Sequence, residues 1–137
     1  MRTAATALAA ALLMLAGCKG GNPVQNANDK VATFHQRLDA GDYAAIYREA
    51  APEITRNATQ EQFAKLLGAV HDKLGKVRES KQVGWNAQVG TGGDVAELTM
   101  DTKFERGEGQ EHFVFKGAGN EQKLAGYQVN SDALLTN

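Results

Sequence analysis

The side chains able to do chemistry in this chain of 137 residues are few and scattered. Cys18 is its single thiol, and it closes the apolar run that ends Leu15-Ala16-Gly17. A thiolate is a strong nucleophile suited to taking up an alkyl or acyl group, and with no second cysteine the chain has no internal disulfide to form. The histidines, His35, His71 and His112, have neither the i, i+4 nor the hairpin spacing that a zinc site favours, so neither a metal nor a cofactor is expected. Acid–base catalysis needs a carboxylate or imidazole held away from water beside a partner that tunes it. Glu79 and Lys81 read instead as an ion pair at a strand's rim. Tyr43 and Tyr47, about one helical turn apart, are the hydroxyls best spaced to reach together into a cavity.

The element that positions Cys18 is the N-terminal segment. Met1-Arg2 carries one positive charge, Thr3 to Gly17 carry none, and Ala7 to Ala16 are almost all Ala, Leu and Met. That run is too short for a membrane span, which takes about 20 apolar residues, and its layout is that of a secretory signal. Leu15-Ala16-Gly17-Cys18 resembles the bacterial lipobox. The resemblance implies cleavage between Gly17 and Cys18, leaving Cys18 as an N-terminus bearing diacylglyceryl and usually a third, palmitate-like chain. Each buried methylene adds about 0.8 kcal/mol, so two or three chains give stable anchoring. Among sorted lipoproteins an Asp after the cysteine argues for inner-membrane retention, so Lys19 leans towards the outer membrane. The expected location is the cell envelope, facing the periplasm.

Removing residues 1–17 from 137 leaves 120, enough for one domain with a single core. Fifteen Lys and Arg against sixteen Asp and Glu give no electrostatic case for nucleic acid. Residues 18–28 are polar, with two Gly and a Pro, and read as a lipidated tether with a reach of roughly 17 Å; residues 29–137 are the domain.

The periodicity predicts three helices. Asn28 or Asp29 caps the first, whose face is Val31, Phe34 and Leu38. Asp42 caps the second, with Tyr43, Ile46, Tyr47 and Ala50 on one side and Pro52 as its stop. Thr59 to Gln62 form a capping box for the third, with a stripe of Phe63, Leu66, Leu67, Val70 and Leu74 that Gly75 closes. From Val77 the period becomes two, with odd positions inward: Val77, Glu79, Lys81, Val83, Trp85, Ala87 and Val89. A turn at Gly92-Gly93 would set Trp85 opposite Met100 and Val83 opposite Thr102. Phe104 would face Phe113 across a turn at residues 107–110, with Arg106 opposite Glu111, and Phe115 would face Tyr127. The expected fold is α+β: three N-terminal helices on a curled four-stranded antiparallel sheet.

Helices followed by a curled sheet resemble the cystatin-like and nuclear-transport-factor-two-like cone folds. Gly41 to Tyr47, Thr59 to Phe63 and Leu74 to Val77 are similar to uncharacterised bacterial exported families of that kind, which imply a fold and an envelope location and assign no activity. Catalytic cones such as ketosteroid isomerases keep an acid or base inside. Here the expected inner face, centred on Trp85, Met100, Phe104, Phe113 and Tyr127, has no carboxylate, His or Cys, so catalysis is not expected. The polar outward face disfavours a sheet-mediated dimer, so a monomer is expected. The reading is a lipid-anchored, non-enzymatic envelope protein that binds a protein or ligand. The alternative is a small apolar-ligand-binding or isomerase-like cone, lined by Tyr43, Tyr47, Trp85, Met100, Phe104, Phe113 and Tyr127.

Overall fold

The computed structural model describes residues 21–136. Cys18, the cleavage position and Lys19 lie outside the described residues. Within them the fold is α+β: helices packed on an antiparallel sheet that curls without closing, with strand order β1-β2-β3-β4.

Helix α1 spans Pro23–Ala40, starting earlier than the Asn28 or Asp29 cap expected from periodicity. Asn22 is the cap, accepting a hydrogen bond from the Val24 amide at 2.9 Å, and Pro23 fills the first helical position, where no amide proton is needed. Most of the segment read as tether is therefore helical, and Ala27 is already in the core. Gly41, at φ 71°, ends α1 in the left-handed region. Asp42 then caps α2 (Tyr43–Arg48) through the Ala45 amide. Pro52 opens a short α3 (Pro52–Thr55) as well as following α2, and the Ala51 amide bonds the Leu124 carbonyl, tying this turn to the sheet. Helix α4 (Gln60–Leu74) begins at the Thr59–Gln62 capping box, with both reciprocal bonds made. Its buried face is Phe63, Leu67, Val70 and Leu74; Leu66, expected in that stripe, is about half exposed.

The strands are β1 (Val77–Gln88), β2 (Val95–Phe104), β3 (Gly107–Lys116) and β4 (Lys123–Asn130), followed by a short α5 (Asp132–Leu135). All four strands were expected, but their registers differ. Trp85 faces Leu98, and Ala87 faces Ala96, because the loop after β1 is longer than two residues and only Gly93 of the Gly92-Gly93 pair has positive φ. The sheet then shifts by one between Gln82 and Gly84, leaving Val83 as an extra residue. A bulge of this kind reverses which parity faces inward. On its far side Ser80 and Gln82, not Lys81 and Val83, pair with the inward Thr102 and Met100. Gln82 meets Asn28 of α1 there.

Phe104 pairs with Gly107 across a two-residue turn, Glu105-Arg106, and Leu98, not Phe104, faces Phe113. Arg106 does not meet Glu111. It reaches back to the C-terminus of α4, giving hydrogen bonds to the carbonyls of His71, Asp72 and Lys73, while its own amide bonds Leu74. A cation on unpaired helix-end carbonyls is favoured by the helix dipole as well as by the bonds themselves. Across β3 and β4, Phe113 faces Tyr127 and Glu111 faces Val129, two residues from the expected pairing.

The main core lies between α1 and the sheet, where Val31, Phe34 and Leu38 meet Leu98, Met100, Phe113 and Phe115. A second cluster, with Val70, Leu74 and Phe104, sits under α4 and α5. Gly107 permits the approach of α5, since a Cβ there would lie 2.8 Å from the Ala133 Cβ.

Candidate functional site

The expected inner face free of titratable groups is corrected at Glu111. Its side chain points into the core and is fully buried. Placing Arg106 opposite it depended on a longer turn; the short turn moves Glu111 six positions along the pairing, to face Met100. There three elements supply donors. Thr102 on β2 donates to Oε1 at 2.6 Å, Tyr127 on β4 donates to Oε2 at 2.6 Å, and His35 Nε2 on α1 lies 2.8 Å from Oε1. Ser80 continues the chain, its hydroxyl 2.9 Å from that of Thr102. The Thr102 and Tyr127 hydroxyls donate to the two carboxyl oxygens, and the His35 imidazole meets the first of them through Nε2. Burial, with the charge and hydrogen bond of Glu111, pushes the Tyr127 hydroxyl well above the usual phenolic range.

Aromatic rings enclose this network. Phe34 packs against Tyr127 with ring centres 4.7 Å apart and edge-on against Phe113 at 5.1 Å; His35 is edge-on to Phe113 at 5.9 Å. The arrangement can hold a negative charge in an apolar interior. It leaves no face of the Glu111 carboxylate open to a reactant: the side chain has no exposed surface and both oxygens are bonded.

Of the seven residues expected to line one cavity, Met100 and Phe113 lie in the main core with Tyr43, Tyr47 and Tyr127 packed against it, while Phe104 and Trp85 lie elsewhere. Met100, Phe104 and Phe113 are buried, with Phe104 in the second cluster. Tyr127 belongs to the Glu111 network. Tyr47 stacks near Phe63 and donates its hydroxyl to the Ala58 carbonyl at 2.8 Å, pinning the loop before α4. Tyr43 packs beside Gly68 of α4, and its hydroxyl is raised above its ordinary pKa by burial, aided by the charge of Asp72. Trp85, paired with the buried Leu98 on edge strand β1, is 63 % exposed. Val83 and Val89 are exposed beside it on the same strand and the loop that follows.

Open depressions flank the core. One, of about 620 Å³, runs between α4 and β4 and is lined by Leu66, Val70, Val129 and Leu134. Another lies against α1, α2 and the start of β4. Among the described residues no cluster of three His, Cys, Asp or Glu side chains is arranged to hold a metal, and no helix is long and apolar enough to cross a membrane.

Residues 30–127 match the model of a family described as a protein of unknown function, DUF4019. The chain belongs to the DUF4019 family. No curated protein and no solved structure matches it. The DUF4019 match starts within α1 and ends at Tyr127, so it takes in Glu111 and all its donors.

Sequence reasoning missed Glu111 and His35 as partners. The available signal was parity: Glu111 shares its face with Phe113 and Phe115, and only its assignment to the turn kept it off the inner face. The bulge at Val83 has its signal in Gly84, since an isolated glycine inside a strand pattern often marks one, but the glycine does not say which neighbour is the extra residue.

Proposed function

We propose that this DUF4019 protein is a lipid-anchored component of the bacterial cell envelope whose domain binds another protein, with the contact centred on Trp85. The observation that carries the binding role is the exposure of this tryptophan, at 63 %, on an edge strand beside exposed Val83 and Val89. Tryptophan is enriched in the buried centres of protein interfaces, and one left exposed on an unpaired strand edge near other exposed apolar residues supports an interaction surface. The lipobox at Leu15 to Cys18 carries the anchor, with Lys19 favouring the outer membrane. The curled sheet under helices supports kinship with the cystatin-like cone folds.

The ligand-binding or isomerase-like alternative needs an open interior with a reachable acid or base. Aromatic packing about Glu111 and its bonded oxygens favour a structural role for that carboxylate, which supports binding at the surface and a non-enzymatic domain.

A photo-crosslinking residue in place of Trp85 tests the reading in living envelopes, with the same residue in place of exposed Asp101 as control. The expected outcome is a discrete protein adduct from position 85, absent at position 101 and lost when Val83 and Val89 are also changed to Ser. Equal labelling from both positions, or none from position 85, contradicts it.

A further inference from the structure

The depression against α1 and α2 differs in chemistry from the Trp85 patch. Its floor is apolar, formed by Phe34, Ile46, Phe115 and Leu124, and its volume is about 280 Å³. Four cations line it, Lys30, Arg37, Arg48 and Lys123, against two carboxylates, Glu49 and Glu121. This local excess of positive charge belongs to a chain whose formal net charge is −1.

Arg37 and Glu49 cancel each other. The guanidinium donates to both Glu49 oxygens, at 2.6 and 3.0 Å, and this bidentate pair holds the Glu49 carboxyl below its ordinary range, with the fields of Arg48 and Lys30 adding to the effect. Lys30, Arg48 and Lys123 form no ion pair with a carboxylate among the described residues. They come from α1, the end of α2 and the start of β4, so they surround the depression from separate elements. A tetrahedral phosphate group can be met by cations from several directions, whereas a planar carboxylate is best met by one fork.

A second observation points to the same place. Gln122, which lines the depression, is only 3 % exposed. Its Nε2 donates to the Pro23 carbonyl at 3.1 Å, and its Oε1 has no hydrogen-bond partner. A buried amide acceptor without a donor is costly to maintain, by about 1–3 kcal/mol. The oxygen has less than 1 Å² of accessible surface, so a hydroxyl beside a ligand's anionic group satisfies it once the side chain turns toward the depression.

We propose that this depression binds a phosphate ester carrying a neighbouring hydroxyl, of the glycerophosphate class, with Lys30, Arg48 and Lys123 on the phosphate and Gln122 accepting from the hydroxyl. The apolar floor takes the carbon skeleton. Such a group can come from the headgroup of an anionic phospholipid or from a soluble ester. Cys18 lies five residues before Pro23, a contour of at most about 18 Å, so an anchored domain would hold this face within reach of headgroups. The charge pattern itself does not depend on the lipid.

The test uses residues 19–137, the chain without its apolar N-terminal segment and without Cys18, which removes both as causes of membrane association. Probes are phosphatidylglycerol vesicles, phosphatidylcholine vesicles, sn-glycerol 3-phosphate and inorganic phosphate, read by co-sedimentation and calorimetry. Binding to phosphatidylglycerol but not phosphatidylcholine is expected. Each cation near an anionic surface contributes about fivefold, so the combined Lys30→Gln, Arg48→Gln, Lys123→Gln variant should lose on the order of 100-fold in affinity. A variant with Lys65, Lys76 and Lys103 changed to Gln has the same net charge and should bind as the parent does. Binding of sn-glycerol 3-phosphate, more tightly than inorganic phosphate, identifies a soluble ester as sufficient; binding of the anionic vesicles alone identifies the headgroup in its bilayer. Failure to bind any probe except by bulk charge, shown by an equal loss in both triple variants, overturns the proposal. Equal affinity for inorganic phosphate and sn-glycerol 3-phosphate overturns the assignment of Gln122.

Discussion

Glu111 has no exposed surface, yet three donors from α1, β2 and β4 converge on it. A carboxylate in such a place is tolerated only while every acceptor site is used, and removing one partner from a buried charged network costs more than making it gains. Glu111→Gln keeps the shape but replaces one acceptor oxygen with an NH2 group. That group meets a hydroxyl or imidazole already oriented as a donor. We expect the variant to lose about 2–4 kcal/mol of stability in urea unfolding, with the helical and strand content of the remaining folded fraction unchanged. A loss below about 0.5 kcal/mol would mean that the network adds little. His35 belongs to the same unit, and its place was not legible from spacing because its partner is 76 positions away in sequence.

At the scale of elements, capping and stopping signals transfer directly from sequence to structure. The Asp42 cap, the Thr59–Gln62 box and the Gly75 end of α4 all act where local chemistry puts them. Register does not transfer in the same way. Parity alone cannot distinguish pairings that differ by an even number of residues, so β2 and β3 could be aligned six positions away without exposing an apolar row. The turn that decides between them, Glu105-Arg106, has no Gly or Asn and no positive φ. It is held instead by Arg106 on the end of α4, a contact between segments 32 or more positions apart. The bulge at Val83 has only Gly84 as its cue, and it decides that Ser80 and Gln82 face inward, while Trp85 stays exposed opposite the buried Leu98. The two members of the Trp85–Leu98 pair should therefore respond differently. Trp85→Ala, at an exposed site, should change folding stability by no more than about 0.5 kcal/mol. Leu98→Ala, at a site with no exposure, should cost about 2–5 kcal/mol. Thermal and urea unfolding of the two variants checks this; a comparable cost at both positions would mean that Trp85 is covered in solution.

On the proposed reading the whole molecule divides its tasks by surface. A filled interior with one satisfied charge supports the scaffold, the exposed end of β1 offers an apolar contact, and the cationic depression by α1 and α2 offers an ionic one. These features fit a domain held at a membrane, with α1 beginning close behind the attachment residue. Residues 18–28 read as tether because their polar, Gly-rich composition hides the Asn22-Pro23 start signal, and only Val24 and Ala27 extend the apolar stripe backward. The earlier start leaves only residues 19–22 between Cys18 and α1, so the proposed anchor would keep the domain close to the membrane. The most direct test of this account is mass spectrometry of the N-terminal peptide from protein purified out of bacterial membranes. The predicted result is a peptide that begins at Cys18 and carries diacylglyceryl, with a further acyl chain, and that is absent when Cys18 is changed to Ser. A peptide that begins elsewhere, or an unmodified Cys18 in membrane-associated protein, would contradict it.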